Sequence, residues 1–159
     1  DYYALRVMNA MLGQYSTSLL FQNVREKNSL CYSIYSSLIA FDGALGIMTG
    51  VEKKDIDTAL RLIDEQIETL RSGRFDDALL SVSQTMIINS LRAGDDNMNT
   101  MAALQYQNDL LGRSDTSADI IRLVEQVTRE DVIKAAKKLE HKATYIVRSE
   151  EDADETDHE

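Results

Sequence analysis

The chain is predicted to be an α+β domain in which helices pack on one face of a mainly antiparallel sheet. An Asp-Gly pair at residues 42–43 separates two apolar runs, which is a strong signal for a β-hairpin. Several later stretches repeat apolar residues at helical spacing. A last strand-like run follows them, so strands and helices are segregated along the chain, as is typical of the α+β class.

Length and composition limit the kind of protein. The 159 residues suffice for one domain with its own core, predicted at residues 1–149. Residues 150–159 hold seven acids and are expected to be a disordered tail, and without them the net charge of −10 falls to about −3. The body therefore offers no basic face for nucleic acid. No apolar run approaches the roughly 18 residues that cross a membrane, and a single cysteine, Cys31, suits a reducing cytoplasm.

Two helices are predicted before the hairpin. The apolar positions on one face of the first are Leu5, Met8 and Leu12. Gly13 is expected to end this helix. Ser16 or Ser18 can cap a second helix, which buries Leu20 and Val24 and reaches about residue 28.

The hairpin and a long helix come next. Residues 30–38 and 45–52 are predicted as the two strands on either side of the Asp-Gly turn. A helix then begins near Asp55 and ends at Gly73. The apolar stripe along it consists of Ile56, Leu60, Ile63, Ile67 and Leu70.

Three further helices follow, at about 76–92, 96–112 and 117–127. Their predicted inner faces are Leu79, Val82 and Met86, then Met98, Met101, Leu104 and Leu111, then Ile120, Val124 and Val127. Thr128 and Asp131 form a capping box that starts a last helix. That helix carries Val132, Ala135, Ala136 and Leu139, and residues 142–149 are predicted as a strand closing the sheet.

The sequence contains no residue pattern for catalysis within this chain alone. The two histidines, His141 and His158, do not form a pair at metal-binding spacing, and Cys31 has no histidine nearby. Arg25 and Tyr32 are the candidate binding residues, because both are donors that can hold a carbonyl or an oxyanion. Alternatively, Arg25 pairs with a surface carboxylate and Tyr32 packs as a half-buried strand residue.

The stretch LGQYSTSLLFQNVREKNSLCYSIYSSL resembles the signature of the second, non-metal half of pitrilysin/insulinase-type (inverzincin) zinc metallopeptidases. That signature reads L-G-G, a few residues, S-x-L-F, two residues, then R-E-K-x-x-L-x-Y-x-x-x-S. The matching positions are Leu12, Gly13, Ser18, Leu20, Phe21, Arg25, Glu26, Lys27, Leu30, Tyr32 and Ser36. The similarity extends from about Tyr2 to Arg148, while Gln14 and Leu19 depart from the usual pattern.

The resemblance implies an α+β roll that occurs in tandem halves or in two subunits, which close around an extended peptide. It implies that zinc is held by H-x-x-E-H in the partner half, and that this segment holds no metal. In active members the arginine and tyrosine of the motif, here Arg25 and Tyr32, hold the scissile carbonyl. The chain is then the substrate-binding C-terminal part of a zinc metallopeptidase. Its partner is the N-terminal half of the same chain or a homologous subunit.

Two further expectations follow from the resemblance. The family's roll begins with strands before its first helix, whereas this chain opens directly at DYYAL. We therefore expect a fragment of a larger chain that lacks the first strands of its domain. The alternative function is that of a non-catalytic paralogue, of the bacterial kind with a degenerate zinc motif, acting as a structural or peptide-binding subunit. An H-x-x-E-H motif in the preceding half would distinguish the two.

Overall fold

The structure is a computed structural model that describes residues 2–39, 43–94 and 97–147. Its helices and strands follow the predicted order closely. They are α1 Tyr2–Asn9, the π-helical segments π1 Ala10–Gln14 and π2 Phe21–Glu26, β1 Cys31–Ile39, β2 Ala44–Val51, α2 Ile56–Arg71, α3 Asp77–Gly94, α4 Met98–Leu110, α5 Ser117–Glu125 and α6 Arg129–Lys137. A short 3₁₀ turn, Lys53–Asp55, precedes α2.

The predicted hairpin and the α+β class are confirmed. β1 and β2 pair antiparallel, from Cys31 opposite Val51 to Ile39 opposite Ala44. Gly43 has a φ of +62°, which favours glycine at this turn. Residues 40–42, which include the aspartate of the predicted Asp-Gly turn, lie outside the described residues.

The core lies between the hairpin and the helices. α1, π1 and π2 contact β1 directly, whereas α2 packs on α6 and π2. The fully buried apolar side chains include Met8, Met11, Leu12, Leu20, Leu70, Ile120, Val124 and Val132. The helical layer is therefore formed from both ends of the chain.

Gly13 does not end the first helix, so that prediction is wrong. The helix continues through Gly13 to Gln14 with a π-helical turn. Glycine is needed there for a different reason, since an added Cβ would lie 2.7 Å from Ser36 Oγ and 2.8 Å from Leu20 Cδ1. Gly13 thus marks a close approach between the helix and β1.

The buried faces of α2, α3 and α4 differ from the predicted stripes. On α2 the buried face is Ala59, Leu62, Ile63, Gln66 and Leu70, so Ile56, Leu60 and Ile67 lie half-buried at its edge. On α3 the buried residues are Ser83, Ile87 and Ile88, whereas Val82 is exposed. On α4 Met98 and Met101 are exposed, and Asn108 is the buried residue. These helices exist as predicted, but the neighbouring helices decide which face is covered.

The last two helices match the prediction. α6 begins with the Thr128–Asp131 capping box and buries Val132, Ala135 and Ala136. α5 has a capping box of its own, formed by Thr116 and Asp119. The Arg129 guanidinium at the start of α6 donates to the carbonyls of Gly73 and Phe75.

The predicted closing strand is wrong for residues 142–147. These residues carry no strand, and Tyr145 and Val147 are 90% and 97% exposed. A strand needs a neighbouring edge for its hydrogen bonds, and within the described ranges β1 and β2 pair only with each other. Residues 148–149 and the acidic tail at 150–159 lie outside the description.

Candidate functional site

Tyr32 lies in a β-bulge, which the sequence analysis did not predict. Cys31 pairs with Val51 and Ile34 with Thr49, so Tyr32 and Ser33 together face the single residue Gly50. Thr49 Oγ1 donates to the Ser33 carbonyl oxygen at 3.0 Å, which supplies a partner at the irregular position. The bulge is therefore hydrogen-bonded to the neighbouring strand.

The bulge turns Tyr32 away from the core. In a regular strand Tyr32 would share the face of Ile34 and Ser36, both of which are buried. The extra residue reverses the alternation at this end, so Cys31 takes the inner side and the Tyr32 side chain is 90% exposed. The alternative interpretation of Tyr32 as a half-buried packing residue is therefore wrong.

Arg25 lies one residue before the end of π2, and the chain reverses just after it. Ser29 adopts a φ of +50°, and its N–H donates to the Arg25 carbonyl at 2.9 Å. The N–H of Leu30 donates back to the Val24 carbonyl at 3.4 Å. This left-handed turn ends the helix and leads directly into β1, which places Tyr32 beside Arg25.

A second contact orients π2 on the helical layer. Asn23 Nδ2 donates to Gln66 Oε1 of α2 at 2.7 Å, and the buried Gln66 in turn donates to the Leu62 carbonyl. Val24, the next residue, is fully buried. Arg25 is thus carried by a segment that is held on its inner side by packing and by a buried amide.

The Arg25 guanidinium lies between two aromatic rings. Its Cζ is 4.4 Å from the ring centroid of Phe21 and 5.8 Å from that of Tyr32. The ion pair with Glu26 is long, with Nε to Oε1 at 3.9 Å, and the Arg25 side chain is 34% exposed. The structure thus brings the two predicted residues together, and the alternative pairing of Arg25 with a surface carboxylate is present only as this long contact with Glu26.

A shallow groove of about 490 Å³ lies beside the pair. Residues 29–32 line one side, and residues 50–52 of the return strand line the other. A hydrogen bond from Lys54 lowers the pKa of Glu52 at the rim, so this carboxylate is ionised at neutral pH. The groove therefore carries an anion at its rim, and Tyr32, which lines it, connects it to Arg25.

The described part of the chain contains no group of three or more histidine, cysteine, aspartate or glutamate residues that could hold a metal ion. Cys31 is a free, half-buried thiol that lines the groove. What the site offers is hydrogen-bond donation from a guanidinium and a phenol. Within residues 2–39, 43–94 and 97–147, every helix is too short or too polar to span a bilayer.

Two features of this site were not predicted from the sequence. Phe21 was identified only as a position in a motif, although it lies four residues before Arg25, a spacing that places side chains together on a helix. The sequence contains one indication of the bulge, Gly50, because glycine inside a strand often marks an irregular pairing.

A comparison with family models matches residues 1–87 to the family described as "Peptidase M16 inactive domain". The match covers α1 through α2 and so includes Phe21, Arg25 and Tyr32. It also reaches about half of α3.

Among curated proteins, the chain is 34% identical over 153 residues to "Probable inactive metalloprotease YmfF" of Bacillus subtilis, covering 96% of this chain and 36% of that protein. It is 31% identical to "Uncharacterized zinc protease YmxG" of the same organism, covering 86% and 34%. "Uncharacterized zinc protease Mb2805c" of Mycobacterium bovis is 29% identical, with 86% and 32% covered. The chain therefore spans about a third of the length of these relatives.

Solved structures share the fold. A conserved protein from Enterococcus faecalis superimposes with a TM-score of 0.79 at 31% identity, covering 86% of this chain and 32% of that one. A peptidase M16 inactive domain from Pseudomonas fluorescens gives a TM-score of 0.74 at 20% identity, covering 88% and 34%. The second likeness shows the fold alone.

Proposed function

This chain belongs to the peptidase M16 family, as its inactive C-terminal domain, and we propose on that basis that it is the substrate-binding part of a longer zinc-protease-like protein. In this proposal Arg25 and Tyr32 hold an extended peptide by its backbone. The zinc and the general base come from the N-terminal half of the same chain or from a homologous subunit. The reaction class is peptide hydrolysis.

The observation that carries the proposal is the meeting of Arg25 and Tyr32 at an exposed end of the hairpin. The guanidinium is held against aromatic rings, and the phenol stands clear of the core. Neither donor group is consumed by a close internal ion pair. Two free donors on one rim suit a peptide carbonyl, whose oxygen accepts more than one hydrogen bond.

The chemistry of this pair is electrostatic. A guanidinium N–H and a phenol O–H that point at the same carbonyl oxygen stabilise negative charge as it develops there. The described residues do not fit a zinc site, so the metal is not assigned to this segment. This chain orients the peptide and supports the charge on its carbonyl.

A second candidate function is peptide binding without catalysis. It is favoured by the name of the relative that is 34% identical, "Probable inactive metalloprotease YmfF". In such a protein Arg25 and Tyr32 would still hold a peptide, and cleavage would depend on an active homologue beside it. We further propose a cytoplasmic location, because Cys31 is unpaired.

The test uses the full-length protein and a set of internally quenched decapeptides, with both binding and cleavage measured. Arg25→Ala is expected to weaken peptide binding by about tenfold or more, because a charged hydrogen bond is lost. If the protein cleaves peptides, Arg25→Ala or Tyr32→Phe should lower turnover by about 100-fold. The melting temperature should change little in either variant, since surface substitutions cost roughly 0.5 kcal/mol or less.

Matched controls are available on the same chain. Arg61→Ala removes an arginine whose side chain is 62% exposed, and Tyr106→Phe removes the hydroxyl of an exposed tyrosine on α4. Both should leave binding and cleavage unchanged. Wild-type binding and turnover in Arg25→Ala and Tyr32→Phe would rule out the peptide-holding role. Binding that depends on Arg25, in a protein that holds no zinc and cleaves nothing, would select the non-catalytic function.

A further inference from the structure

Phe21 and Arg25 face the same side of π2. Segment π2 closes hydrogen bonds five residues apart, as shown by the Lys27 N–H donating to the Gln22 carbonyl. Phe21 and Arg25 are four residues apart, and the guanidinium carbon lies 4.4 Å from the ring centroid. This distance is well within the range of a cation–π contact.

The aromatic contact holds the guanidinium without using its hydrogen-bond donors. The five N–H groups of arginine lie in the plane of the guanidinium, while a ring is attracted to the cation through the face of the ring. A carboxylate would instead occupy one or two of those N–H groups. Arg25 can therefore be fixed in place and still offer its donors to a ligand.

Phe21 is not explained by core packing. Its side chain is half-buried, and it does not belong to the described cluster of buried residues or to the apolar side chains packed against that cluster. Leu20, the residue before π2, and Val24 within π2 are fully buried and do belong to that cluster. The ring of Phe21 thus contacts Arg25 from outside the core.

We propose that Phe21 is a positioning residue for Arg25, which it holds by ring stacking at the site described above. This inference rests on the proposed function, because it assigns Phe21 a role through the donor group of Arg25. Tyr32 supplies the second ring, at 5.8 Å, so the guanidinium is contacted by the rings of two residues. The contact with Phe21 is the feature that makes a half-buried arginine a directed donor.

The experiment is a double-mutant cycle on the full-length protein, with the dissociation constant for fluorescein-labelled decapeptides as the readout. Phe21→Leu keeps an apolar side chain and removes the ring, so binding is expected to weaken about two- to fivefold. Phe21→Tyr keeps the ring and should bind as the wild type does. In an Arg25→Ala background, Phe21→Leu should have no further effect.

A second readout is independent of peptide binding. The Arg25 Nε–H proton resonance is expected to carry a ring-current shift in the wild type and in Phe21→Tyr, and to lose it in Phe21→Leu. Melting temperatures confirm that each variant is folded at the assay temperature.

The outcomes separate the two proposals. An unchanged Arg25 resonance in Phe21→Leu overturns the positioning role. A loss of binding in Phe21→Leu that persists in the Arg25→Ala background also overturns it, because Phe21 would then contact the peptide directly. If Arg25→Ala alone leaves binding unchanged, the proposed function fails, while the resonance still decides whether Phe21 holds Arg25.

Discussion

The backbone of Gly13 lies directly against Ser36, so that a Cβ on Gly13 would come within 2.8 Å of the Ser36 backbone nitrogen. Ser36 is buried, and its hydroxyl donates to Asn9 Oδ1 at 2.7 Å. The helical layer and the sheet are therefore in backbone contact at this point, which no larger residue allows.

Gly13→Ala is expected to lower the free energy of unfolding by about 1–3 kcal/mol, because the added methyl group forces the helix away from β1. Urea unfolding of the folded chain measures this. Gly46→Ala is the control, since a Cβ at Gly46 meets nothing within 4 Å. If Gly13→Ala and Gly46→Ala change the free energy of unfolding by equally small amounts, the helix can shift away from β1 at little cost.

Ser29→Gly is expected to raise the free energy of unfolding by roughly 0.5–1 kcal/mol. Ser29 has a φ of +50°, a left-handed conformation that is strained for a residue with a Cβ. Ser72→Gly, at a right-handed position with a φ of −84°, should have the opposite sign, because it loosens the unfolded chain and removes a hydroxyl that donates to the Glu68 carbonyl at 2.6 Å. Thermal and urea unfolding give both values, and a loss of stability in Ser29→Gly would contradict the assigned strain.

Arg129→Ala is expected to destabilise the fold by about 1.5–3 kcal/mol. The guanidinium donates to two carbonyl oxygens in the loop between α2 and α3 and to Asp77 Oδ1, and it stacks on Phe75. Hydrogen bonds from a charged donor are the stronger kind. Arg61→Ala, which removes only an exposed pair with Glu65, should change stability by about 0.5 kcal/mol or less. Similar losses of stability in the two variants would show that the contacts of Arg129 contribute no more than an exposed ion pair.

Stability is expected to fall between pH 10 and pH 12 because of Tyr3. Burial, followed by a hydrogen bond from the Tyr3 hydroxyl to Asp115, raises the pKa of Tyr3 from 10.0 to about 12. Above pH 10 the unfolded chain releases this proton more readily than the folded chain does. The contribution of Tyr3 to stability is thus complete below pH 10 and is lost as the pH rises toward 12.

Tyr3→Phe should make the alkaline decline shallower, as measured by urea unfolding over a pH series. Tyr106→Phe, at an exposed position on α4, serves as the control and should keep the wild-type slope. The same slope in Tyr3→Phe as in the wild type would mean that another group causes the decline.

The chain is expected to bind no stoichiometric zinc. Its described residues hold no cluster of metal-binding side chains, and the two histidines of the sequence are 17 positions apart. Elemental analysis after dialysis should show far less than one zinc per chain, and one tightly held ion would contradict the assignment of zinc to the partner half.

Only part of the candidate site could be predicted from local sequence. Arg25 and Tyr32 were identified as two donors separated by a helix end, and the structure brings them together. Their surroundings were not predicted, because the bulge depends on how β1 pairs with β2 and on a hydroxyl from Thr49. Pairing of this kind joins residues 16 positions apart, so no local pattern specifies it.

The sequence by itself determined the features that short-range hydrogen bonds decide. The Thr128–Asp131 capping box belongs to this class, and so does the turn end of the hairpin, where Ile39 lies opposite Ala44, because these partners lie within five residues of each other. Only the tertiary structure decided which face of α3 and α4 is covered, which side of β1 carries Tyr32, and that residues 142–147 stay unpaired. Apolar side chains occur on more than one face of α3 and α4, and a strand needs an edge to pair with. Which helix face is buried, and whether a strand forms, therefore depends on the elements that pack against it, and those elements come from distant parts of the chain.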